Sequence, residues 1–365
     1  MSAGTKRLVT GGAGFIGCNA ARRWLDAGHP VVVVDDLSRR GADRNLAWLR
    51  EQPGDLTFER IDIRDRLAVE DCLARHRDAE VVLHLAAQVA VTTSVEDPRH
   101  DFEVNAQGTF NLLEATRRHL PGAVFLYAST NKVYGGLETE GVELHQGRYR
   151  FRHRPGGIPE TQPLDFHSPY GCSKGAADQY VRDYARIYGL RTVCFRQSCI
   201  YGYRQFGVED QGWVAWFTIA AVTGQPVFIY GDGKQVRDLL FVDDLCDAYD
   251  AAVARADSLR GAVFNLGGGP AHTLSLLELV GLLEKLTGRP VRPRFADWRP
   301  GDQPVFVADI SAASAALAWR PRTDVATGVR LLHAWVESNR SLFDGGGLSP
   351  HVGGLPTPPR AGPER

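Results

Sequence analysis

Through about residue 130 the chain alternates short apolar runs with stretches of helical periodicity. Arg7–Thr10, Val31–Asp35, Val81–Leu85 and Ala123–Ser129 are rich in Val, Leu and Phe and read as strands. Between them, Gly17–Ala27 and Asp101–Arg118 carry apolar residues at helical spacing. Nearly continuous apolar strands interleaved with helices predict a parallel sheet covered on both faces. The expected fold class is α/β, a Rossmann-type doubly wound parallel sheet with a smaller α/β substrate lobe. Ligands of such sheets lie beyond the carboxyl ends of the strands, so the residues after each run are the ones to inspect.

Gly135–Pro163 breaks this rhythm with a polar, Gly-rich stretch in which Tyr149–Arg154 alternates aromatic and basic residues. Alternation predicts an extended, hairpin-like insertion beside the site. An RNA-binding stripe is the other reading, and the lack of any further basic excess argues against it. Beyond Gln197 the pattern predicts a loop over Tyr201–Gly212 and a helix over Trp213–Thr223. Strands at Val236–Val242 and Val263–Leu266 and a helix at Leu274–Leu286 follow. We expect residues 1–196 to form one unit, with elements at about 236–266 returning to it. Residues 197–235 and 267–342 are expected to form the second lobe. Gly, Pro and Ser dominate 343–365, which is expected to be a disordered tail.

A chain of 365 residues can bury a large core, and a formal net charge of −1 excludes a general nucleic-acid or membrane-surface binder. No apolar run approaches the ~20 residues of a membrane span, and Arg7 leads almost at once into the first strand. A cytoplasmic protein is expected. Cys18, Cys72, Cys172, Cys194, Cys199 and Cys246 are scattered, which predicts buried free thiols, and no His or Cys spacing suggests a metal.

Thr10–Gly11–Gly12–Ala13–Gly14–Phe15–Ile16–Gly17 joins the first strand to the first helix. Gly11 permits the tight turn, Gly14 lets backbone approach a pyrophosphate, and Gly17 allows close helix–sheet packing. Asp35 ends the second strand 18 residues past Gly17, where a carboxylate can hold both hydroxyls of an adenosine ribose. It also repels a 2′-phosphate, so NAD is expected, although Arg39 and Arg40 could serve NADP. By the same strand-end logic Asp62 and Ile63, after a third strand, face the adenine, and Leu85, Ala86 and Gln88 line the cofactor's middle. Tyr170 and Lys174 stand at i and i+4 on one helix face, opened by Pro169. A tyrosine becomes a useful base only if a neighbouring cation stabilises its phenolate, and Lys174 and an oxidised nicotinamide can both do so.

With these motifs, the chain resembles the extended short-chain dehydrogenase/reductases across nearly all of residues 7–320. More narrowly it resembles the CDP-tyvelose 2-epimerase (CDP-paratose 2-epimerase) group, on Val89–Ser94, Ser129–Gly135, Asp165–Tyr180 and Asp210–Val214. The resemblance implies bound NAD, a nucleotide-linked 3,6-dideoxyhexose and inversion at carbon 2. It makes Thr130 the third catalytic residue beside Tyr170 and Lys174. It also places Thr93, Asn131, Lys132, Gln197 and Gln205 at the sugar, and Arg237, Arg299 and Asp302 at the nucleotide diphosphate. Related 4,6-dehydratases carry Asp-Glu after this threonine, whereas this chain has Asn131–Lys132, so elimination is not expected. Two departures stand out: an Arg-rich insertion at 136–159, and Gln197 where the group has a histidine.

The leading expectation is a redox-neutral epimerase acting on a nucleotide-diphosphate sugar. A 4-epimerase, a net dehydrogenase or ketoreductase, and a cofactor-sensing binding protein remain as alternatives. Asp101–Arg118 and Tyr170–Tyr188 look like the helices that pair subunits in this superfamily. A homodimer or homotetramer burying Phe110, Leu113 and Ile187 is therefore expected.

Overall fold

The computed structural model describes residues 4–299 and 302–343. Of the expected tail, 343–365, Phe343 is described and is buried in the core, and 344–365 lie outside the described residues. The chain begins as strictly alternating β1 (Lys6–Thr10), α1 (Phe15–Asp26), β2 (Val31–Asp35), α2 (Ala42–Arg50), β3 (Leu56–Arg60), α3 (Arg66–Arg75) and β4 (Ala79–His84). Short helices α4 (Val91–Glu96) and α5 (Pro98–Phe102) lead through a π-helical turn at Glu103–Gln107 into α6 (Gly108–His119). Next come β5 (Val124–Thr130), the hairpin β6 (Val142–His145) and β7 (Arg148–Phe151), α7 (Ser168–Tyr188), β8 (Arg191–Gln197) and β9 (Cys199–Tyr201). The remainder comprises α8 (Trp213–Thr223), β10 (Phe228–Tyr230), β11 (Val236–Phe241), α9 (Val242–Ala254), β12 (Ala262–Leu266) and β13 (Thr273–Ser275). It ends with α10 (Leu276–Thr287), β14 (Arg294–Ala296), β15 (Val305–Phe306), α11 (Ser311–Leu317) and α12 (Val325–Ser338).

Seven parallel strands form the main sheet in the order β12-β8-β5-β4-β1-β2-β3. Its strands are buried on both faces because successive side chains alternate. Val9, Val31, Val33, Leu83 and Leu126 pack with Trp24 and Leu46 of α1 and α2. Leu8, Val32, Val34, Val82 and Phe125 pack with Leu73, Leu112 and Val181 of α3, α6 and α7. The strand order reverses between β1 and β4, which opens a crevice at their carboxyl ends. β3 (Leu56–Arg60), whose side chains are only partly buried, gives the weakest apolar run of the seven.

Of the two strands expected to return to this sheet, only β12 does so, pairing with β8. β11 instead centres a smaller sheet with β9, β13 and β15. The stretch read as one helix from Asp101 to Arg118 is α5 and α6 joined by the π turn. The insertion is a two-residue hairpin, with Gln146 (φ 50°) and Gly147 (φ 81°) both left-handed as a type I′ turn requires. Three of its four arginines are paired locally, Arg150 with Glu143, Arg154 with Glu140 and Arg148 with Glu278, which leaves Arg152 exposed among them rather than a continuous basic stripe. Cys172 is exposed and Cys199 half-buried, unlike the buried thiols expected. No described helix is long and apolar enough to cross a membrane.

Candidate active site

The crevice at the switch point is a cleft of about 430 Å³. Every residue expected at the cofactor lines it: Gly11, Gly14, Phe15, Ile16, Gly17, Asp35, Asp62, Ile63, Leu85, Ala86, Gln88, Tyr170 and Lys174. Gly11 adopts φ +65°, and a Cβ there would meet the Ala86 backbone at 2.7 Å; one on Gly17 would collide with the Gly11 carbonyl. A Cβ on Gly14 would meet only that carbonyl, at 3.1 Å. Gly14 also caps α1 without a side chain, leaving the helix's first N–H groups free for a pyrophosphate.

Asp35 accepts hydrogen bonds from Ala13 N (3.0 Å) and Leu37 N (2.8 Å). Burial raises its pKa while those N–H groups lower it, and each oxygen keeps a lone pair for a ribose hydroxyl. Asp62 is held by the Arg64 guanidinium at 2.6–3.1 Å, which lowers its pKa, so its carboxylate reaches the cleft already paired. Arg39 bonds Gln211 across the cleft mouth, and Arg40 stays exposed. The side chains that line the cleft thus suit the hydroxyls, diphosphate and rings of NAD.

Ser168 and Pro169 start α7, with Ser168 Oγ accepting from Gly171 N at 3.2 Å. Tyr170 and Lys174 then fall on its buried face. Burial pushes the Tyr170 pKa up to about 12, and the Thr130 hydroxyl at the end of β5 pulls it back. Lys174 Nζ donates to the Ala128 carbonyl at 2.5 Å and lies 4.4 Å from the Tyr127 ring centre. Burial brings its pKa down to about 8. The lysine charge is thus spent on a carbonyl and a ring, and it is Thr130, followed by Arg39, that lowers the Tyr170 pKa. Behind the face that carries Tyr170 and Lys174, Asp178 is clamped by Arg196 at 3.0 and 3.1 Å and by Ser129 at 2.9 Å, tying α7 to β5 and β8.

A second cavity of about 340 Å³ adjoins the first, and Tyr170, Val89 and Gln211 line both. It gathers Thr130, Asn131, Lys132, Arg237, Arg299 and Asp302 from segments up to about 170 residues apart. Arg237 pairs with Asp302 at 2.7 Å, and Arg299 pairs with Asp210 at 2.8 Å while lying over the Tyr230 ring at 3.9 Å. Burial and Arg237 push the Lys132 pKa down to about 8, and Asp302 opposes them. Trp213, Phe217, Phe228 and Tyr230 form an apolar wall.

Three residues expected at the sugar, Thr93, Gln197 and Gln205, line the cofactor cleft instead. Gln197 Nε2 donates to Tyr249 Oη at 2.6 Å and Gln205 Nε2 to Ile200 O at 3.4 Å. Asp243 and Asp244 sit inside the first turn of α9. Asp244 there accepts from Arg322 N and Thr323 N. Although the sequence showed no ligand spacing, tertiary folding brings Glu59, Cys72 and His76 together, and likewise Glu138, Asp165 and His167. Glu59 is already bonded to Arg75 and His76. Leu113 is buried in its own subunit's core, so it is not available to a partner.

Sequence reasoning missed the polar layer beneath α7. His84 bridges Thr10 (2.7 Å) and Thr109 (2.9 Å), and burial and Lys174 keep it neutral. Asp101, Asn105, Gln88 and Ser173 form a closed network beside it. The available signal was polar residues at inward positions of an otherwise apolar helical pattern.

The model of the NAD dependent epimerase/dehydratase family matches residues 7–267. The chain is 46% identical to the CDP-paratose 2-epimerase of Salmonella typhi, over 91% of this chain and 99% of that one. Among solved structures, it resembles UDP-glucose 4-epimerase of Thermotoga maritima with UDP-glucose, at TM-score 0.77 and 32% identity, covering 91% and 99% of the two chains. It also resembles the Thermus thermophilus UDP-glucose 4-epimerase complex with NAD, at TM-score 0.76 and 33% identity, covering 92% and 99%.

Proposed function

The chain belongs to the NAD dependent epimerase/dehydratase family, the extended short-chain dehydrogenase/reductases, with NAD as its cofactor; from that premise we propose that it inverts carbon 2 of a CDP-linked deoxyhexose. The observation that carries this reading is the shared position of Tyr170, which lines both the cofactor cleft and the second cavity. A sugar hydroxyl at Tyr170 Oη gives up its proton to the tyrosine, with Thr130 holding the oxygen and Lys174 fixing the phenol's surroundings. Bound NAD supplies the acceptor and donor of the hydride at the same carbon. Arg39 is the protein cation that lowers the Tyr170 pKa, and an oxidised nicotinamide held in the cleft would add a second positive charge there. The sugar passes through a 2-keto form, and return of hydride to its other face completes inversion. Asn131 and Lys132, next to Thr130, offer no carboxylate pair to expel water, which disfavours a dehydratase.

Arg237, Arg299 and Lys132 hold the diphosphate in this reading, the first two as planar forks. The apolar wall of Trp213, Phe228 and Tyr230 receives the base. Residues 1–196 with β12 serve the cofactor, and the segments around the second cavity serve the nucleotide sugar. Phe110, Tyr180, Ile187 and Tyr188 form an exposed patch on α6 and α7, suited to pairing two copies. Ile187→Glu then yields monomers in light scattering; a monomeric wild-type protein at micromolar concentration overturns this part.

A CDP-sugar deuterated at carbon 2 tests the chemistry. The label is retained through inversion, heavy water adds none, and no free NAD is consumed. Solvent deuterium at the inverted carbon would sink the hydride route. Inversion at carbon 4 would keep the route and make the enzyme a 4-epimerase, the activity carried in the names of its solved relatives.

A further inference from the structure

Asp101 has no solvent exposure and makes no ion pair among the described residues. A buried carboxylate of this kind persists only when its lone pairs are met by donors. Gln88 Nε2 donates to one oxygen at 2.9 Å and Asn105 Nδ2 at 3.1 Å, while Ser173 Oγ donates to the other at 2.5 Å. Each donor comes from a different part of the site. Gln88 lies in the wall of the cofactor cleft, and its backbone N–H and carbonyl are both bonded to the Asn105 amide at 3.0 Å. Asn105 is turned inward by the π-helical turn. Ser173 lies between Tyr170 and Lys174, and its Oγ is also 3.2 Å from the Tyr170 carbonyl, a second acceptor within reach of its single proton.

Two carboxylates, Asp101 and Asp178, act on Lys174 through space. Asp178 is already neutralised by the bidentate Arg196. Asp101 is not, and the groups around it carry no compensating cation in contact. His84, on β4, is held neutral; His100, on α5, makes no hydrogen bond to Asp101 and acts on it only through space; Tyr127 and Cys194, on β5 and β8, are protonated.

We propose that Asp101 is a positioning residue of the active site, locking α7 to the wall of the cofactor cleft and serving as the counter-charge of Lys174. The inference rests on the reading of Tyr170 and Lys174 as the acid–base pair. Its electrostatic consequence has a definite sign. A buried negative charge favours protonated Lys174 and disfavours ionised Tyr170, so it raises both pKa values. Removing the charge while keeping the hydrogen bonds lowers both, and the whole pH profile of turnover moves toward acid.

Asp101→Asn makes that change with little loss of packing, because Ser173 Oγ can accept from the new amide and turn its own proton to the Tyr170 carbonyl at 3.2 Å. We expect both limbs of the kcat–pH profile to shift down by about one unit. The measurement uses the NAD-loaded protein, with its NAD content and Tm recorded in parallel. A profile that superposes on the wild type after scaling, with only Tm lowered, overturns the proposal, because a purely structural residue would act that way. Should Asp101→Asn not fold, Asp101→Ser, smaller and still able to accept from Gln88, carries the same expectation and the same refutation. Tyr170→Phe separates the two layers of the argument. If it turns over near the wild-type rate, the acid–base reading fails and the inference with it. If it is inactive while the Asp101→Asn profile stays unshifted, only the inference fails.

Discussion

The two cavities that meet at Tyr170 are built by different means. The cofactor cleft is made mostly of backbone: a glycine turn, strand ends and the open N-terminus of α1, with Asp35 as its defining side chain. The second cavity sets long charged side chains against an apolar wall, and two of its three cations already hold a carboxylate, Arg237 with Asp302 and Arg299 with Asp210. Backbone donors need no reorganisation to receive an anion, whereas ion pairs must exchange one partner for another. The first region is thus suited to keep a cofactor through many turnovers, and the second to bind and release a substrate.

The comparison breaks first at the residue the cavities share. Tyr170→Phe should reduce turnover by about 10²–10⁴-fold, the usual contribution of a general acid–base group, while NAD content and Tm stay at wild-type values. Near-normal turnover would remove Tyr170 from the chemistry and leave the two cavities without a common centre.

Next, each region should fail in its own way. Arg237→Ala should raise KM by roughly 10- to 100-fold, since a hydrogen bond to a charged group is worth about 1.5–3 kcal/mol, without loss of bound NAD. Gly17→Ala should do the reverse, shedding NAD and lowering Tm as the added Cβ forces α1 off the Gly11 turn, at a cost of about 1–3 kcal/mol. If Arg237→Ala also lost NAD, the regions would not be separable.

The smallest effect is a dependence on pH. The Lys132 pKa is pushed down to about 8, so its charge is present below that pH and lost as pH rises through it. KM for the nucleotide sugar should therefore climb several-fold above pH 8. Lys132→Arg, which stays charged, should flatten that rise. An equally steep rise in the arginine variant would assign the titration to another group.

Much of the first region could be read from the chain. Gly11, Gly14 and Gly17 act within one turn, Asp35 closes the strand that follows, and Tyr170 and Lys174 share a helix face. The reading faltered where a residue's partner was distant. Which of the two cavities Gln197 and Gln205 border could not be read from spacing along the chain, and both line the cofactor cleft. β11 was expected in the main sheet, and its pairing with β9, β13 and β15 took it elsewhere.

From the chain alone come the parallel sheet, the position of its ligand crevice and the shared helix face of Tyr170 and Lys174. Each of these follows from periodicity and spacing over a few turns of chain, where local geometry leaves few choices. Tertiary structure alone decided which carboxylate answers which cation. Asp302 faces Arg237, Asp178 faces Arg196, and Asp101 is left with hydrogen-bond donors only. Charge pairing depends on distance in space and on burial, and neither is a function of separation along the chain.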